Sequence, residues 1–298
     1  MKSIVSIKNL SKKYKKHTVL ENINLDIIQG DIYGIIGENG AGKSTLLKIL
    51  TNQINSFEGE VTISIDHSIR QTHIGALIEN PSFHPNFTVF ENLYMFYKLK
   101  FLKTDLNEVH RIIRLLGLEN KTNEKVKNLS IGLKQRYGIG LALIGSPDLV
   151  ILDEPTNALD PVGIKNIREL ILSINEEKNT TFIISSHNLA ELENICNKYI
   201  IMHKGKIIHF EVMDSKKSNQ FFVFEFEAED INIACEYFDS KNIDFTNMNN
   251  KIHTNIGIKM KSFIFDMVSE GVIPVRIYEV SKNLESIYFE EIRSLTNE

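Results

Sequence analysis

The sequence predicts an α/β protein with a parallel β-sheet, followed by a smaller α+β domain. Two short apolar runs, Ile32–Ile36 and Leu149–Asp153, predict strands, and the second is typical of a buried strand in a parallel sheet, since both faces of such a strand are covered. The composition changes after residue 212, where a polar stretch precedes an aromatic, strand-like run that begins at Phe221. With 298 residues the chain is long enough for two domains, which we expect over residues 1–212 and 213–298.

The stretch after the first apolar run carries a phosphate-binding motif. It reads Gly-Glu-Asn-Gly-Ala-Gly-Lys-Ser-Thr and matches G-x-x-x-x-G-K-[S/T], with a strand before it and the helical pattern Leu46–Leu50 after it. Glycines let backbone N–H groups curl around phosphate oxygens, and the helix N-terminus adds the positive end of its dipole. The candidate binding residues are Gly37, Glu38, Asn39, Gly40, Ala41, Gly42, Lys43, Ser44 and Thr45.

This motif predicts a nucleoside triphosphate and Mg²⁺ as ligands. Lys43 would reach the β- and γ-phosphates, and the Ser44 hydroxyl would bind Mg²⁺. The alternative, a chance glycine-rich turn, agrees poorly with a full match placed between a strand and a helix.

A pair of acids at the end of the second apolar run predicts the reaction. Asp153 closes a buried strand and would hold Mg²⁺ directly or through water, and Glu154 would orient or deprotonate the attacking water. A strand that ends in solvated acids is common, but this one follows a phosphate-binding loop in the same chain. We therefore predict hydrolysis of the bound triphosphate.

The segment Leu129–Arg136 lies between these motifs and resembles the signature loop of ATP-binding cassette (ABC) proteins. It reads Leu-Ser-Ile-Gly-Leu-Lys-Gln-Arg, and the common form is Leu-Ser-Gly-Gly-Gln. Ser130 and Gly132 match that form. Ile131 and Leu133 depart from it. Ser130 stands at a helix start, where free N–H groups suit the γ-phosphate of an ATP held by another subunit, although a Ser-x-Gly alone is usually only a cap.

Three further residues follow the order that this family shows. Asp160, in the loop Asn157–Asp160, resembles the residue that crosses the dimer interface near the partner's nucleotide. His187 resembles the switch histidine that contacts the γ-phosphate, although a histidine after a strand is more often structural. Tyr14 matches the aromatic residue that stacks on adenine, a weak signal by itself. The resemblance thus makes Glu154, His187 and Asp160 the catalytic group.

One position departs from the usual family pattern. Glu79 stands where a glutamine is common, in the loop after the strand Ile74–Ile78. This glutamate, with the Ser-x-Gly signature, resembles the ATPases of bacitracin- and lantibiotic-resistance exporters. Its carboxylate would bind Mg²⁺ more strongly than an amide and would repel phosphate oxygens if unpaired, so we expect it to tune catalysis and coupling. The alternative is a solvated loop acid.

The resemblance implies a fold and an assembly. It covers residues 1–212 and implies a P-loop NTPase cassette with a RecA-like parallel core, an antiparallel β subdomain and a helical subdomain over about residues 85–145. Two cassettes, as a homodimer, would face head to tail, with each ATP between the Lys43 loop of one and the Ser130 loop of the other. Closure would move a separate integral-membrane permease through the Glu79 loop.

Charge and hydropathy restrict the other classes. A formal net charge of −4 gives no electrostatic case for nucleic acid. The sequence lacks a run of about 18 apolar residues and a signal-peptide pattern, so we expect a peripheral protein on the cytoplasmic face of the membrane. Cys196 and Cys235 have no metal-like neighbours, which predicts free thiols.

Other functional classes stay open. A soluble ABC ATPase that acts on ribosomes usually carries two cassettes in one chain, and this chain has one. A DNA-repair or chromosome ATPase would need a long coiled coil between the nucleotide motifs, for which Thr51–Leu129 is too short. Export of a peptide antibiotic is favoured over import, and export of another small molecule or a lipid is a further alternative.

Local patterns predict the remaining elements. Residues 1–36 alternate like antiparallel strands, Phe90–Gly145 has a helical period, and parallel α/β structure returns over Leu149–Phe210. The C-terminal candidates are the strand Phe221–Glu227, the helix Ile231–Phe238, and further elements over Ile252–Ile256, Ile264–Val268 and Val272–Val280. We expect the C-terminal aromatics to form that domain's own core, and its role in regulation, dimerisation or partner contact stays open.

Overall fold

The computed structural model describes most of the chain, and these residues form two compact units. The described residues are 2–64, 74–102, 105–157, 159–212, 220–254, 260–281 and 284–296. The large unit comprises residues 1–213 and 291–298, and the small unit comprises residues 214–290. The predicted linker, residues 213–218, and Ala158 of the predicted interface loop lie outside the described residues.

The strands of the large unit form two sheets. They are β1 (Ser3–Tyr14), β2 (His17–Ile28), β3 (Ile32–Ile36), β4 (Glu58–Ile63), β5 (Ile74–Leu77), β6 (Leu149–Asp153), β7 (Thr181–Ser186), β8 (Lys198–His203) and β9 (Lys206–Val212). One sheet is antiparallel, with strand order β2-β1-β4, and the other has the order β5-β6-β7-β3-β8-β9. Strands β3, β6 and β7 are buried along their whole length, which explains their continuous apolar runs.

Helices of the large unit, apart from the first, begin at residues whose side chains cap them. They are α1 (Lys43–Leu50), α2 (Val89–Phe101), α3 (Leu106–Leu115), α4 (Ile131–Leu143), α5 (Pro161–Lys178) and α6 (Leu189–Glu193). Thr88 and Glu91 form a reciprocal capping box at α2, and Asp105 accepts two backbone hydrogen bonds at the start of α3. The segment between β5 and β6 is therefore helical, as its period predicts.

Both sheets and α1 contribute to one aliphatic core. Fully buried side chains from each of these elements meet there, among them Leu10, Ile27, Leu46, Ile151 and Ile183. Burying each such side chain stabilises the fold by about 1.5–3 kcal/mol. Because α1 is anchored in this core, the loop in front of it has a fixed position.

The described part of the chain shows the hydropathy of its helices and the state of both cysteines. None of its helices is long and apolar enough to cross a membrane. Cys196 and Cys235 are free, and burial raises the pKa of the Cys196 thiol.

The small unit contains a four-stranded antiparallel sheet with helices between its strands. Its elements are β10 (Gln220–Glu225), α7 (Ile231–Ser240), β11 (Phe245–Met248), β12 (Lys251–Thr254), α8 (Met260–Ser269) and β13 (Arg276–Ser281). The strand order is β11-β12-β10-β13, which makes a β-α-β-β-α-β arrangement. Phe224, Phe238 and Phe263 pack edge to face in its core, with centroid separations of 5.4, 5.8 and 5.5 Å. A last helix, α9 (Leu284–Thr296), follows.

The structure corrects three details of the sequence analysis. Strand β3 belongs to the parallel sheet, because it is buried on both faces, and only β1 and β2 of the first 36 residues are antiparallel. Strand β9 pairs antiparallel with β8, because a two-residue turn joins them. Residues 291–298 belong to the large unit, where His209 Nδ1 lies 2.9 Å from Glu291 Oε1.

Candidate nucleotide site

The three predicted motifs follow neighbouring parallel strands that end at one level. In the register of the sheet, Asp153 at the end of β6 lies beside Ser185 of β7, and Ile36 of β3 lies beside Ser186. The loops after these strands therefore start at the same edge. Open α/β sheets bind ligands at the carboxyl ends of their strands, and this edge meets that description.

A cavity of about 260 Å³ lies at this edge. Gly42, at φ +104°, precedes α1, and no described side chain caps that helix, so the first N–H groups are available to a ligand. A Cβ at Gly42 would lie 2.9 Å from the carbonyl oxygen of Val19, so this close backbone approach requires glycine. The cavity is lined by Val19, Asn39, Gly40, Gly42, Lys43, Ser44, Thr45, Asp153 and Glu154.

Lys43 is buried and contacts the loop that precedes it. Its Nζ donates to the carbonyl oxygens of Gly37 at 2.5 Å and Glu38 at 3.2 Å. Burial lowers the pKa of Lys43, and the carboxylates of Glu154 and Asp153 oppose that shift. A lysine folded onto loop carbonyls can exchange those acceptors for phosphate oxygens, so the residues fit a triphosphate. Ala41, the one residue of the motif that neither lines the cavity nor contacts Lys43 in the bonds given above, is buried in the core.

The acidic pair is held in place by β7 and α4. Ser185 Oγ donates to Asp153 Oδ1 at 2.5 Å and accepts from the backbone N–H of Glu154 at 3.1 Å. Gln135 Nε2 donates to the carbonyl of Glu154 at 3.3 Å. Ser185 and Gln135 were not predicted as site residues. Ser185 could have been identified, because a serine at the end of a buried strand requires a polar partner.

Glu154 and His187 are in direct contact. His187 Nδ1 lies 2.9 Å from Glu154 Oε2. The His187 side chain is 63% exposed, and that of Glu154 is 24% exposed. Because Glu154 also lines the cavity, one side chain adjoins both the cavity and the histidine. This geometry suits a base that is oriented by a neighbouring imidazole.

Comparison with known proteins identifies the family. A profile described as ABC transporter matches residues 20–157. The chain is 37% identical over 248 residues to the bacitracin transport ATP-binding protein BcrA of Bacillus licheniformis, a match that covers 80% of this chain and 81% of that protein. The chain belongs to the ABC transporter ATP-binding family. It is also 40% identical over 207 residues to the lantibiotic transport ATP-binding protein SrtF of Streptococcus pyogenes, which covers 69% and 89%.

A solved ABC cassette has the same fold. The dimeric cassette MJ0796, in a post-hydrolysis state bound to ADP and Pi, matches with a TM-score of 0.65 and 28% identity over 71% of this chain and 99% of that one. The family and the cassette fold predicted from the sequence are therefore confirmed.

The signature and interface residues of this ABC ATPase lie outside its own cavity. Ser130 is the N-cap of α4, and its Oγ accepts a backbone hydrogen bond from the first turn at 3.4 Å. Asp160 caps α5 in the same way, with Oδ1 2.9 Å from the N–H of Gly163. A Cβ added to Gly132 would lie 3.1 Å from Leu159, so the two loops contact each other. The predicted contacts of Ser130 and Asp160 are with a nucleotide held by another subunit, and a single chain does not show them.

Tyr14 lies on β1 of the cassette and is 47% exposed. The Nζ of Lys12, a buried residue, lies 4.7 Å from the centre of the Tyr14 ring and also donates to the carbonyl of Ser56. An exposed ring supported by a cation suits stacking on a base. Tyr14 is not among the cavity-lining residues.

Glu79 forms an ion pair with α1 of the cassette. Its Oε1 lies 2.6 Å from the Nζ of Lys48, and the Glu79 side chain is 63% exposed. Glu79 is not among the residues that line the cavity, and its contact with Mg²⁺ stays a prediction. The carboxylate is exposed, as the alternative interpretation expects, but its charge is compensated.

Proposed function

We propose that this chain hydrolyses ATP as the nucleotide-binding subunit of an ABC exporter for peptide antibiotics of the bacitracin or lantibiotic type. The observation that supports this most strongly is the position of Glu154. Its carboxylate adjoins the phosphate-binding cavity and contacts His187, while its backbone is fixed by Ser185. Family membership makes ATP the expected nucleotide.

Each residue of the site has a role in this proposal. Lys43 and the N–H groups of Gly40–Ser44 bind the phosphates, and Ser44 with Asp153 holds Mg²⁺, which neutralises charge on the β- and γ-phosphates. Glu154 accepts a proton from the attacking water. His187 keeps the Glu154 carboxylate oriented towards that water.

The second cassette completes the site from outside. Ser130 and Asp160 point to this arrangement, because they cap helix starts that do not border their own cavity. A second copy placed head to tail would bring the α4 N-terminus to the γ-phosphate. The MJ0796 cassette, which is dimeric, supports such a pair.

The proposal also includes a membrane partner and a transported cargo. The protein would lie on the cytoplasmic face of the membrane and bind an integral-membrane permease through the loop that contains Glu79. The names of BcrA and SrtF, together with Glu79 in place of glutamine, support a peptide antibiotic as the cargo.

The catalytic part is tested with Glu154→Gln. We expect turnover to fall by about 100-fold or more, because the amide cannot accept the proton, while the ATP dissociation constant changes by less than about threefold. Phosphate release and isothermal calorimetry measure the two quantities. The control is Glu169→Gln, which changes an exposed glutamate of α5 in the same way. Unchanged turnover in Glu154→Gln would remove Glu154 from its proposed role.

The transport part is tested by isolating the tagged Glu154→Gln protein from native membranes in the presence of ATP. We expect a polytopic permease among the co-purified proteins. A strain that lacks the pair should become sensitive to bacitracin or a lantibiotic. Ribosomal proteins without a permease would instead favour the translation-factor alternative.

A further inference from the structure

The ion pair between Lys48 and Glu79 connects helix α1 with the loop after β5, two segments that lie far apart in the sequence. Lys48 lies on α1, directly behind the phosphate-binding loop, and Glu79 lies in the loop that follows β5. The Nζ–Oε1 distance is 2.6 Å, and the side chains are 30% and 63% exposed. An exposed pair of this kind contributes little to stability, so it can open without unfolding either element.

Helix geometry places Lys48 close to the expected metal ligand. Lys48 follows Ser44 by four residues on α1, so both side chains lie on one face of the helix, about one turn or 5.4 Å apart. Glu79 is therefore bound one helical turn from the hydroxyl that would hold Mg²⁺.

The charges around Lys48 favour a compensating role. The hydrogen bond to Glu79 raises the pKa of Lys48, and the more distant charges of Tyr14 and Asp153 act in the same direction. Without Lys48, the negative charge of Glu79 would lose the partner that compensates it and would add to the charges of Asp153 and Glu154, which line the cavity. Such an excess of negative charge would repel a triphosphate and attract a divalent cation.

The backbone of the Glu79 loop is held at both ends. Glu79 itself has φ +62°, a left-handed conformation that is unfavourable for this residue. On the other side, Tyr137 Oη on α4 donates to the carbonyl of Ser82 at 3.1 Å. The loop is thus fixed to the signature helix by buried contacts and to α1 by an exposed ion pair.

We propose that Lys48 is a positioning residue that holds the Glu79 carboxylate on α1 and cancels its charge beside the phosphate-binding cavity. This inference rests on the proposed function, because it assumes that Gly37–Thr45 binds ATP.

A double-mutant cycle tests the charge relation. We would measure the dissociation constant of ATP in EDTA for the wild type, Lys48→Met, Glu79→Gln and the double variant. Lys48→Met should weaken binding by about tenfold in the wild-type background, the size of one uncompensated nearby charge, and by less than about threefold in the Glu79→Gln background. Equal losses in both backgrounds would overturn the proposal.

Metal binding without nucleotide gives a second measurement, which should not change if Lys48 has only a structural role. Paramagnetic resonance with Mn²⁺ alone should show binding at least about threefold tighter to Lys48→Met than to the wild type. Adding Glu79→Gln should abolish that gain. Lys48→Arg, which keeps the ion pair, should behave as the wild type in both assays, and its failure to do so would also overturn the proposal.

Two controls separate this inference from the proposed function. Lys165→Met removes a lysine from an exposed ion pair on α5 and should leave ATP and Mn²⁺ binding unchanged. A wild-type protein that binds no ATP would contradict the proposed function itself, and the inference with it. A wild type that binds ATP with no coupling between Lys48 and Glu79 would contradict the inference alone.

Discussion

The parallel sheet of the large unit and the antiparallel sheet of the small unit differ in where their connections fall. Strands β3, β6 and β7 end at one level, so the loops after all three meet at a single edge. In the small unit, neighbouring strands run in opposite directions. A parallel sheet therefore gathers side chains that are distant in sequence, whereas an antiparallel sheet places successive loops at opposite ends.

The two units also differ in which side chains they bring together. The large unit brings Lys43, Asp153, Glu154 and His187 to one edge over an aliphatic core. The core of the small unit is aromatic, and its main charged group is an exposed ion pair of Lys241 with two acids. Within the described residues of either unit, no three or more His, Cys, Asp or Glu side chains form a group that could hold a metal ion by themselves.

The largest effect that would break this comparison is the loss of nucleotide binding. Lys43→Ala should raise the ATP dissociation constant by at least about 100-fold, because a buried charge-assisted contact to phosphate is removed. Isothermal calorimetry measures this change. Lys165→Ala, on the exposed face of α5, should leave binding intact. Binding of ATP to Lys43→Ala with native affinity would show that the edge is not the nucleotide site.

The aromatic core of the small unit should be sensitive to truncation. Phe238→Ala should destabilise residues 214–290 by about 3–5 kcal/mol, because Phe238 is fully buried among aromatic rings. Hydrogen exchange of peptides from β10 and α8 measures the change. Phe265→Ala is the matched control, since Phe265 is 78% exposed and its loss should cost less than about 0.5 kcal/mol. Equal effects would mean that the aromatic cluster is not this unit's core.

Packing in the large unit can be tested where a strand meets the signature helix. A Cβ at Gly75 of β5 would lie 1.7 Å from the carbonyl oxygen of Ala142, so Gly75→Ala should destabilise the unit by about 1–3 kcal/mol. At Gly140 the obstacle is a movable end of Leu116, and Gly140→Ala should be nearly neutral. Denaturant midpoints compare the two variants, and similar midpoints would contradict this packing.

The smallest expected effect concerns a tyrosine of the small unit. Burial, and then the hydrogen bond to Asp266, raise the pKa of Tyr237 from 10.0 to about 12. The stability that the neutral phenol contributes is therefore present below pH 10 and lost as the pH rises towards 12. Several tyrosines have a raised pKa, and the tyrosinate absorbance of Tyr237→Phe should lack one of the late-titrating phenols. A loss of an early-titrating phenol would contradict this assignment.

The sequence supported the prediction of the catalytic edge because its motifs are local. Each motif can be recognised within about ten residues. The motifs are a glycine-rich loop between a strand and a helix, an acidic pair after an apolar run, and a histidine after another apolar run. The family and the fold were predicted in this way. The pairing of Ser185 with Asp153 and of Lys48 with Glu79 joins residues 32 and 31 positions apart, and no local pattern reports such contacts.

By itself, the sequence determined the chemistry available to this protein: a phosphate-binding loop, two acids, a histidine and an ABC signature, since each depends on the order of a few neighbouring residues. The tertiary structure decided which of these side chains act together. The register of β3, β6 and β7 brings His187 against Glu154, and the path of the β5 loop puts Glu79 on Lys48 rather than in the cavity. Long-range strand pairing sets these distances, because the free energy that fixes them comes from the shared core and not from the motifs themselves.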